Sequence, residues 1–233
     1  MSRRTGNGKG LDRDTIITTA LRFIDSSGAQ GLTMRALADE LDVAPMALYR
    51  YVHGREDLLE AVVARLLEGV RHDLDDDMAK DSWQGYLQTL ANSVRGLALE
   101  HAAAFPLVAT RHPAAPWLRP PLRSLELVQD FLHTLRAHGF TDEQVVDAYR
   151  AFSSFLLGQL LLEAASRGAE TSPVEVAFDE GDAQVANSDG EVDLRGMPDV
   201  AQLRPLLSED RSTEEFETSL ETLLDRLELR LSQ

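Results

Sequence analysis

Ile16, Ile17, Ala20, Leu21 and Ile24 recur at three- and four-residue intervals, the spacing of one buried helix face. Asp12 before them and Gly28 after them suit a helix cap and a helix stop. After Gly31, Thr33 is a good N-cap for a short second helix with Leu37, Ala38 and Leu41 on one face, and Asp42 and Val43 then form a tight turn. The stretch from Ala44 to Val52 reads as a third helix. It sends Leu48 and Val52 inward and spreads Pro45, Met46, Ala47, Tyr49 and Tyr51 over its remaining surface. Pro45 fits the first turn, where its missing N–H costs nothing. A longer fourth helix begins near Arg55 with Leu58, Leu59, Val62, Leu66 and Val70 as its stripe.

Helical patterns continue from Trp83 to Glu100, Pro121 to His138, Thr141 to Arg167 and Thr213 to the end, broken near the middle by Pro113, Pro116, Pro120 and Pro121. Residues 168–211 are different: Gly, Pro and Ser are frequent, and Glu175, Asp179, Glu180, Asp182, Asp189, Glu191 and Asp193 crowd together, which predicts a long acidic loop. The expected fold class is all-α. A flexible basic arm at 1–10 precedes a three-helix head at 11–55, a connecting helix at 56–72 and a larger helical body at 73–233.

Charge sharpens this division. The formal net charge of the whole chain is -16, which taken alone opposes a nucleic-acid partner. Residues 1–72, however, hold ten basic and ten acidic side chains, so the whole excess of acid lies beyond them. The permissive end for DNA is therefore the N-terminus, where Arg3, Arg4 and Lys9 of the arm could follow a groove or the phosphates. There is no cysteine, which excludes disulfides and thiolate chemistry and suits a reducing compartment. No uninterrupted apolar run approaches the ~18 residues of a membrane span, and the first ten residues lack a secretory apolar stretch, so a cytoplasmic protein without a membrane partner is expected.

Two short helices joined by a tight turn, the second offering small and polar groups at its start, have the layout of a DNA-reading helix-turn-helix, although short helical hairpins also occur in all-helical proteins without that role. The residues are more specific. Gly31-Leu32-Thr33-Met34-Arg35-Ala36-Leu37-Ala38, then Leu41-Asp42-Val43-Ala44, then Ala47-Leu48-Tyr49-Arg50-Tyr51-Val52-His53-Gly54-Arg55-Glu56-Asp57-Leu58-Leu59 resemble the DNA-binding domain of the tetracycline-repressor family. The body resembles that family's regulatory domain more loosely, through Ser82-Trp83-Gln84, Thr110-Arg111, His138-Gly139-Phe140 and Phe155-x-x-Gly158.

The resemblance implies a ligand-responsive transcriptional regulator, a repressor released from a palindromic double-stranded operator by a small-molecule effector. It places Thr33 and Arg35 of the second helix on DNA, Arg35 at a guanine edge or a phosphate. Pro45, Met46, Ala47 and Tyr51 face base edges, and Tyr49 and Arg55 face phosphates. Physical chemistry agrees: Arg is guanine's bidentate partner, methyl-bearing side chains suit the thymine methyl, and Tyr hydroxyls donate to phosphate. The same resemblance implies a homodimer formed through the helices at 141–167 and 213–233, with Phe155, Leu156, Leu220, Leu223, Leu224 and Leu227 as candidate interface residues.

The body's pocket departs from the family pattern. Positions that in the tetracycline repressor hold a magnesium-chelated drug with polar side chains correspond here to Leu90, Val94, Phe131 and, approximately, Leu107. The candidate lining is therefore apolar, comprising Leu90, Val94, Phe105, Phe131, Leu135, Phe152 and Phe155, with Trp117 in the Pro-rich loop. Arg111, His112, His133 and Gln159 are the polar candidates, and the expected effector is a largely hydrophobic compound.

His72, Asp73, Asp75, Asp76 and Asp77 read as a solvated linker with a single histidine rather than a metal site, and no metal or cofactor is expected. Nor is an enzyme expected: Gly-x-Ser-x-Gly, His-Glu-x-x-His and Gly-rich phosphate-loop motifs are absent. An acidic helical adaptor for another protein is the alternative. The acidic body favours it weakly, and the N-terminal motif opposes it.

Overall fold

The computed structural model describes residues 11–75, 81–167, 169 and 196–231. The basic arm at 1–10 and most of the acidic stretch at 168–211 lie outside them, as do Asp76 and Asp77. All regular structure among the described residues is helical. The head contains α1 (Arg13–Ser27), α2 (Met34–Glu40) and α3 (Pro45–Leu48), followed by α4 (Arg55–Leu66) and α5 (Glu68–Leu74). The body contains α6 (Trp83–Glu100), a 3-10 turn (Phe105–Leu107), α7 (Leu125–Ala137), α8 (Asp142–Ser166), α9 (Pro198–Leu207) and α10 (Ser212–Leu231).

Local chemistry fixes where these helices start. The side chain of Asp12 accepts from the Thr15 amide at 2.7 Å, that of Thr33 from Ala36 at 3.0 Å and that of Ser82 from Gly85 at 3.0 Å. Thr141 and Gln144 form a reciprocal capping box at the start of α8. Each cap satisfies an amide that would otherwise be orphaned, a stabilisation of about 1 kcal/mol. Gly28 ends α1 at a φ of 75°, and Asp42 adopts a φ of 53° in the turn between α2 and α3, a left-handed conformation that a short polar side chain tolerates.

Four boundaries differ from the periodicity. The connecting helix breaks at Leu67 into α4 and α5, and the third helix is only four residues long before turns carry the chain to Val52. The helix expected from Pro121 starts at Leu125, because the Arg123 amide bonds back to the Val108 carbonyl at 3.0 Å and Ser124 then caps. Within the expected acidic loop, Pro198–Leu207 is helical with no buried residue. Its flanking acids and an internal Pro205 had masked that helix in the pattern.

Helix α8 organises the body. It packs against α6, α7 and α10, and its inner face from Val145 to Ala164 is buried. By length and hydropathy this 25-residue helix would pass for a membrane span, but its apolar face is used by this core. Phe216, Leu220, Leu224 and Leu227 of α10 and Leu156 of α8 are likewise buried within the single chain, so most of the expected dimer stripe is intrachain core; Phe155 and Leu223 are half-buried. The two helices are pinned to α6 by an almost buried ion pair. Arg95 Nε and Nη2 donate to Glu163 at 3.1 and 2.9 Å, Nη2 also donates to Thr213, and the guanidinium lies 5.1 Å over the Phe216 ring.

Truncating one partner would strand a charge away from water. Glu163→Ala is therefore expected to lower stability by about 3 kcal/mol, read from the urea midpoint at constant slope. An unchanged midpoint would show that water reaches Arg95.

Candidate functional site

Two features stand out, a projecting surface on the head and an apolar cavity in the body. In the head, Ile16, Ala20, Ile24, Leu32, Leu37, Leu48, Val52 and Leu58 are fully buried, which makes α1 to α4 one rigid unit. On this support Thr33, Arg35, Pro45, Met46 and Tyr49 are exposed, Met46 at 74% and Tyr49 at 45%, while Ala47 and Tyr51 are half-buried. All seven lie on α2, on α3 or at their ends, so the structure brings the expected DNA-facing residues together.

Arg55 occupies a different setting. Its Nε donates to the Leu32 carbonyl at 3.0 Å and its Nη2 to the Ala29 carbonyl at 3.0 Å, so two of its donors tie the start of α4 to the loop between α1 and α2. Asp57 completes the joint. It accepts from the His53 amide at 2.7 Å and from Arg13 of α1 at 3.1 Å, while Arg65 of α4 pairs with Asp14. The His53 backbone N–H is the largest influence holding the Asp57 carboxyl below the ordinary carboxylate range. A lowered native value means that this contribution to stability is present above about pH 4 and is lost as pH falls through the native value.

The cavity in the body has a volume of about 30 Å³ and is lined by α6, α7, α8 and the segment between the 3-10 turn and α7. Leu90, Val94, Phe131 and Phe152 line it as expected, with Phe131 and Phe152 rings 5.6 Å apart. Sequence reasoning missed Val108, Leu122, Leu127, Val128, Tyr149, Ser153 and Leu157, and assigned Leu156 only to dimerisation. The polar groups on the lining are Tyr149, whose hydroxyl donates to the Pro120 carbonyl at 2.9 Å, and Ser153 one turn later. Burial pushes the Tyr149 phenol up to about 12, so it is a neutral donor across the physiological range. Two hydroxyls four residues apart among apolar residues in the first half of the inner face of α8 were the available signal.

Several expected lining residues lie off the cavity. Phe105 and Leu135 are fully buried core, and Phe155 stacks on Phe216 with ring centroids 5.8 Å apart. Arg111 and Trp117 are exposed, and His112 Nδ1 accepts from the Ala114 amide within the loop. His133 faces an outer groove with Arg71, Tyr86 and Asp130, and Gln159 is half-buried away from the lining.

A three-helix head with an exposed surface, joined to a helical body around an apolar cavity, has the layout of a DNA-binding regulator. The comparisons agree. Residues 16–62 match the family described as bacterial regulatory proteins, tetR family, and residues 77–231 match the tetracyclin repressor-like C-terminal domain. The chain belongs to the tetR family, whose members are DNA-binding transcriptional regulators and not enzymes. It is 30% identical over 168 residues to the tetracycline repressor protein class E of Escherichia coli, covering 70% of this chain and 74% of that one. A solved structure of a possible TetR family transcriptional regulator from Streptomyces coelicolor A3(2) is 29% identical with a TM-score of 0.69, covering 94% of this chain and 99% of that one. The Streptomyces coelicolor TetR family protein ActR, solved in complex with actinorhodin, shares the fold at 24% identity and a TM-score of 0.66, covering 96% of this chain and 100% of that one.

Arg35 and Arg55 are expected to differ in their effects in solution. Arg35→Ala should cost about 1–3 kcal/mol of sequence-specific binding without changing the melting temperature. Arg55→Ala should lower the melting temperature, because the Leu32 and Ala29 carbonyls lose their donors. It should also weaken binding to all sequences alike, flattening the salt slope by about one. Fluorescence anisotropy against salt, with calorimetry on the same samples, checks both; an unchanged slope would remove Arg55 from the phosphates.

Proposed function

We propose that this chain is a cytoplasmic repressor that holds a pseudo-palindromic operator as a two-fold dimer and releases it when a small, largely hydrophobic molecule occupies the body. The observation that carries this reading is the solvent-facing set Arg35, Met46 and Tyr49 on a head whose other large apolar side chains are mostly buried. Selection of bound duplexes from a random pool, followed by gel shift, tests it. A repressor enriches a palindrome with half-sites about one DNA turn apart, whereas an adaptor enriches none.

The outer face of α8 supports the dimer. Ala151, Phe155, Gly158 and Leu162 follow one another at helical spacing, Leu162 is 73% exposed, and a Cβ at Gly158 would meet nothing within 4 Å. Small residues at two of these positions let a second helix approach closely, and half-buried Leu223 of α10 offers further apolar area. Because Leu162 is exposed in the single chain, Leu162→Asp should fold normally yet sediment as a monomer at micromolar concentration and lose specific DNA binding at the same time. A stable dimer would place the interface elsewhere.

The lining supports the class of effector. Drug-sized ligands occupy roughly 300–1,000 Å³, ten or more times the volume of this cavity, so binding requires the walls to part and the contact made is mostly apolar. ActR with actinorhodin shows one relative holding a small molecule on this fold. Magnesium-tetracycline is expected to be a poor inducer despite the kinship with tetracycline repressors. Leu90, Val94 and Phe131 would leave the drug's polar groups unpaired at about 1–3 kcal/mol each. Titration of the DNA complex with the chelate should leave it intact at micromolar drug; release would overturn the apolar-effector reading.

A further inference from the structure

The cavity wall and the reading head are joined by a continuous line of polar contacts. Leu122 faces the cavity, and the next residue, Arg123, is only 6% exposed. Its amide is held by the Val108 carbonyl at 3.0 Å, and Val108 also faces the cavity. Its guanidinium turns away from the cavity: Nη1 donates to Thr110 at 3.2 Å and Nη2 to Glu56 in the first turn of α4 at 2.7 Å. The other carboxylate oxygen of Glu56 lies 3.7 Å from Arg55, whose remaining donors hold the Leu32 and Ala29 carbonyls next to the Thr33 cap of α2. We propose that Arg123, Glu56 and Arg55 form a relay through which displacement of the Val108–Leu122 wall reorients the reading head.

This deepens the ligand-release reading and rests on it. Two features suit Arg123 to the task. Its Nε is buried without a hydrogen-bond partner, so the docked geometry is incompletely satisfied. Glu56 is exposed on its other side, so its carboxylate can follow the guanidinium as it moves, whereas parting from it would leave the buried Arg123 unpaired. The contact of His101 Nδ1 with Asp25 of α1 at 2.8 Å joins head and body at a second point, so loss of the relay does not detach the head.

The test is a double-mutant cycle that needs no identified effector. Ser153→Phe overfills the cavity from α8 and presses on the wall, and Glu56→Ala cuts the relay at an exposed position. Operator affinity is read by anisotropy on the selected palindrome. Ser153→Phe should weaken binding about tenfold or more with Glu56 present and less than about threefold in the Glu56→Ala background. Equal losses in both backgrounds would overturn the proposal. If circular dichroism shows Ser153→Phe unfolded, Val94→Phe fills the same cavity from α6. If Glu56→Ala itself abolishes binding, Arg123→Met cuts the relay on the other side. Hydrogen exchange of the full-length protein without DNA separates this from failure of the repressor reading. Overfilling should accelerate exchange in the first turn of α4 with Glu56 present and not in its absence, whether or not a palindrome is bound. Equal acceleration in both would also overturn the relay.

Discussion

The apolar cavity of the body has a volume of about 30 Å³, a tenth or less of what a drug-sized ligand fills, and this lack of room bears on the proposed response to a ligand. On the proposed reading a drug-sized compound enters only as a wall moves, so occupancy and conformational change are one event. Burying about 200 Å² of apolar surface is worth roughly 5 kcal/mol. Moving a two-state population from 1:99 to 99:1 takes about 5.5 kcal/mol of differential affinity. The two magnitudes match, so a modest hydrophobic molecule suffices to drive the switch provided that the open state alone can hold it.

A chain with a net charge of -16 nevertheless presents a surface compatible with DNA, and the pairing inside the head explains how. Asp14 pairs with Arg65, Asp57 with Arg13, Glu56 with Arg123, and Asp25 contacts His101. These four acids are directed at the joints between α1, α4 and the body, while Arg35 and Arg50 remain exposed. The same carboxylates that lower the formal charge of the head thus hold it together and anchor it to its sensor. Interactions beyond about 8–10 Å are largely screened at physiological salt, so the acids of the distant body do little to oppose the phosphates.

The head was almost fully legible in the sequence because its determinants are local. Thr33 caps within its own turn, Asp42 makes the tight turn, and Leu48 and Val52 point inward at one helical interval. Only a third of the cavity lining was legible. Periodicity says which side of a helix is buried, but not which buried side chains surround a void. Phe152 and Phe105 therefore looked alike, although only Phe152 lines the cavity. Arg123 was invisible for a different reason. A single arginine after a Pro-rich loop acquires meaning only when a partner 67 residues earlier in sequence, Glu56, is brought to 2.7 Å by the packing of two domains. The break at Leu67 depends likewise on context that no short window contains, whereas the helix Pro198–Leu207 was masked by neighbouring acids and Pro205.

Which wall yields follows from how each is held. Helix α8 forms one side with Tyr149, Phe152, Ser153, Leu156 and Leu157, but it is fastened to α6 and α10 by the Arg95–Glu163–Thr213 cluster and by the Phe155–Phe216 stack. Its opposite face is the surface on which a second copy of the chain would seat, so any shift of α8 would also disturb that packing. Helices α6 and α7 are regular along their cavity-facing turns, and bending them would break backbone hydrogen bonds within the body. The segment between the 3-10 turn and α7 has no such ladder. It is held by the Tyr149–Pro120 bond, by the Arg123–Val108 backbone bond and by the contacts of the Arg123 guanidinium. It is the softest boundary of the cavity, and through Arg123 it reaches the first turn of α4. The direction of the response is therefore set by differences in wall stiffness: pressure from within is taken up where the backbone is irregular, and the buried arginine at the end of that stretch carries the movement to α4.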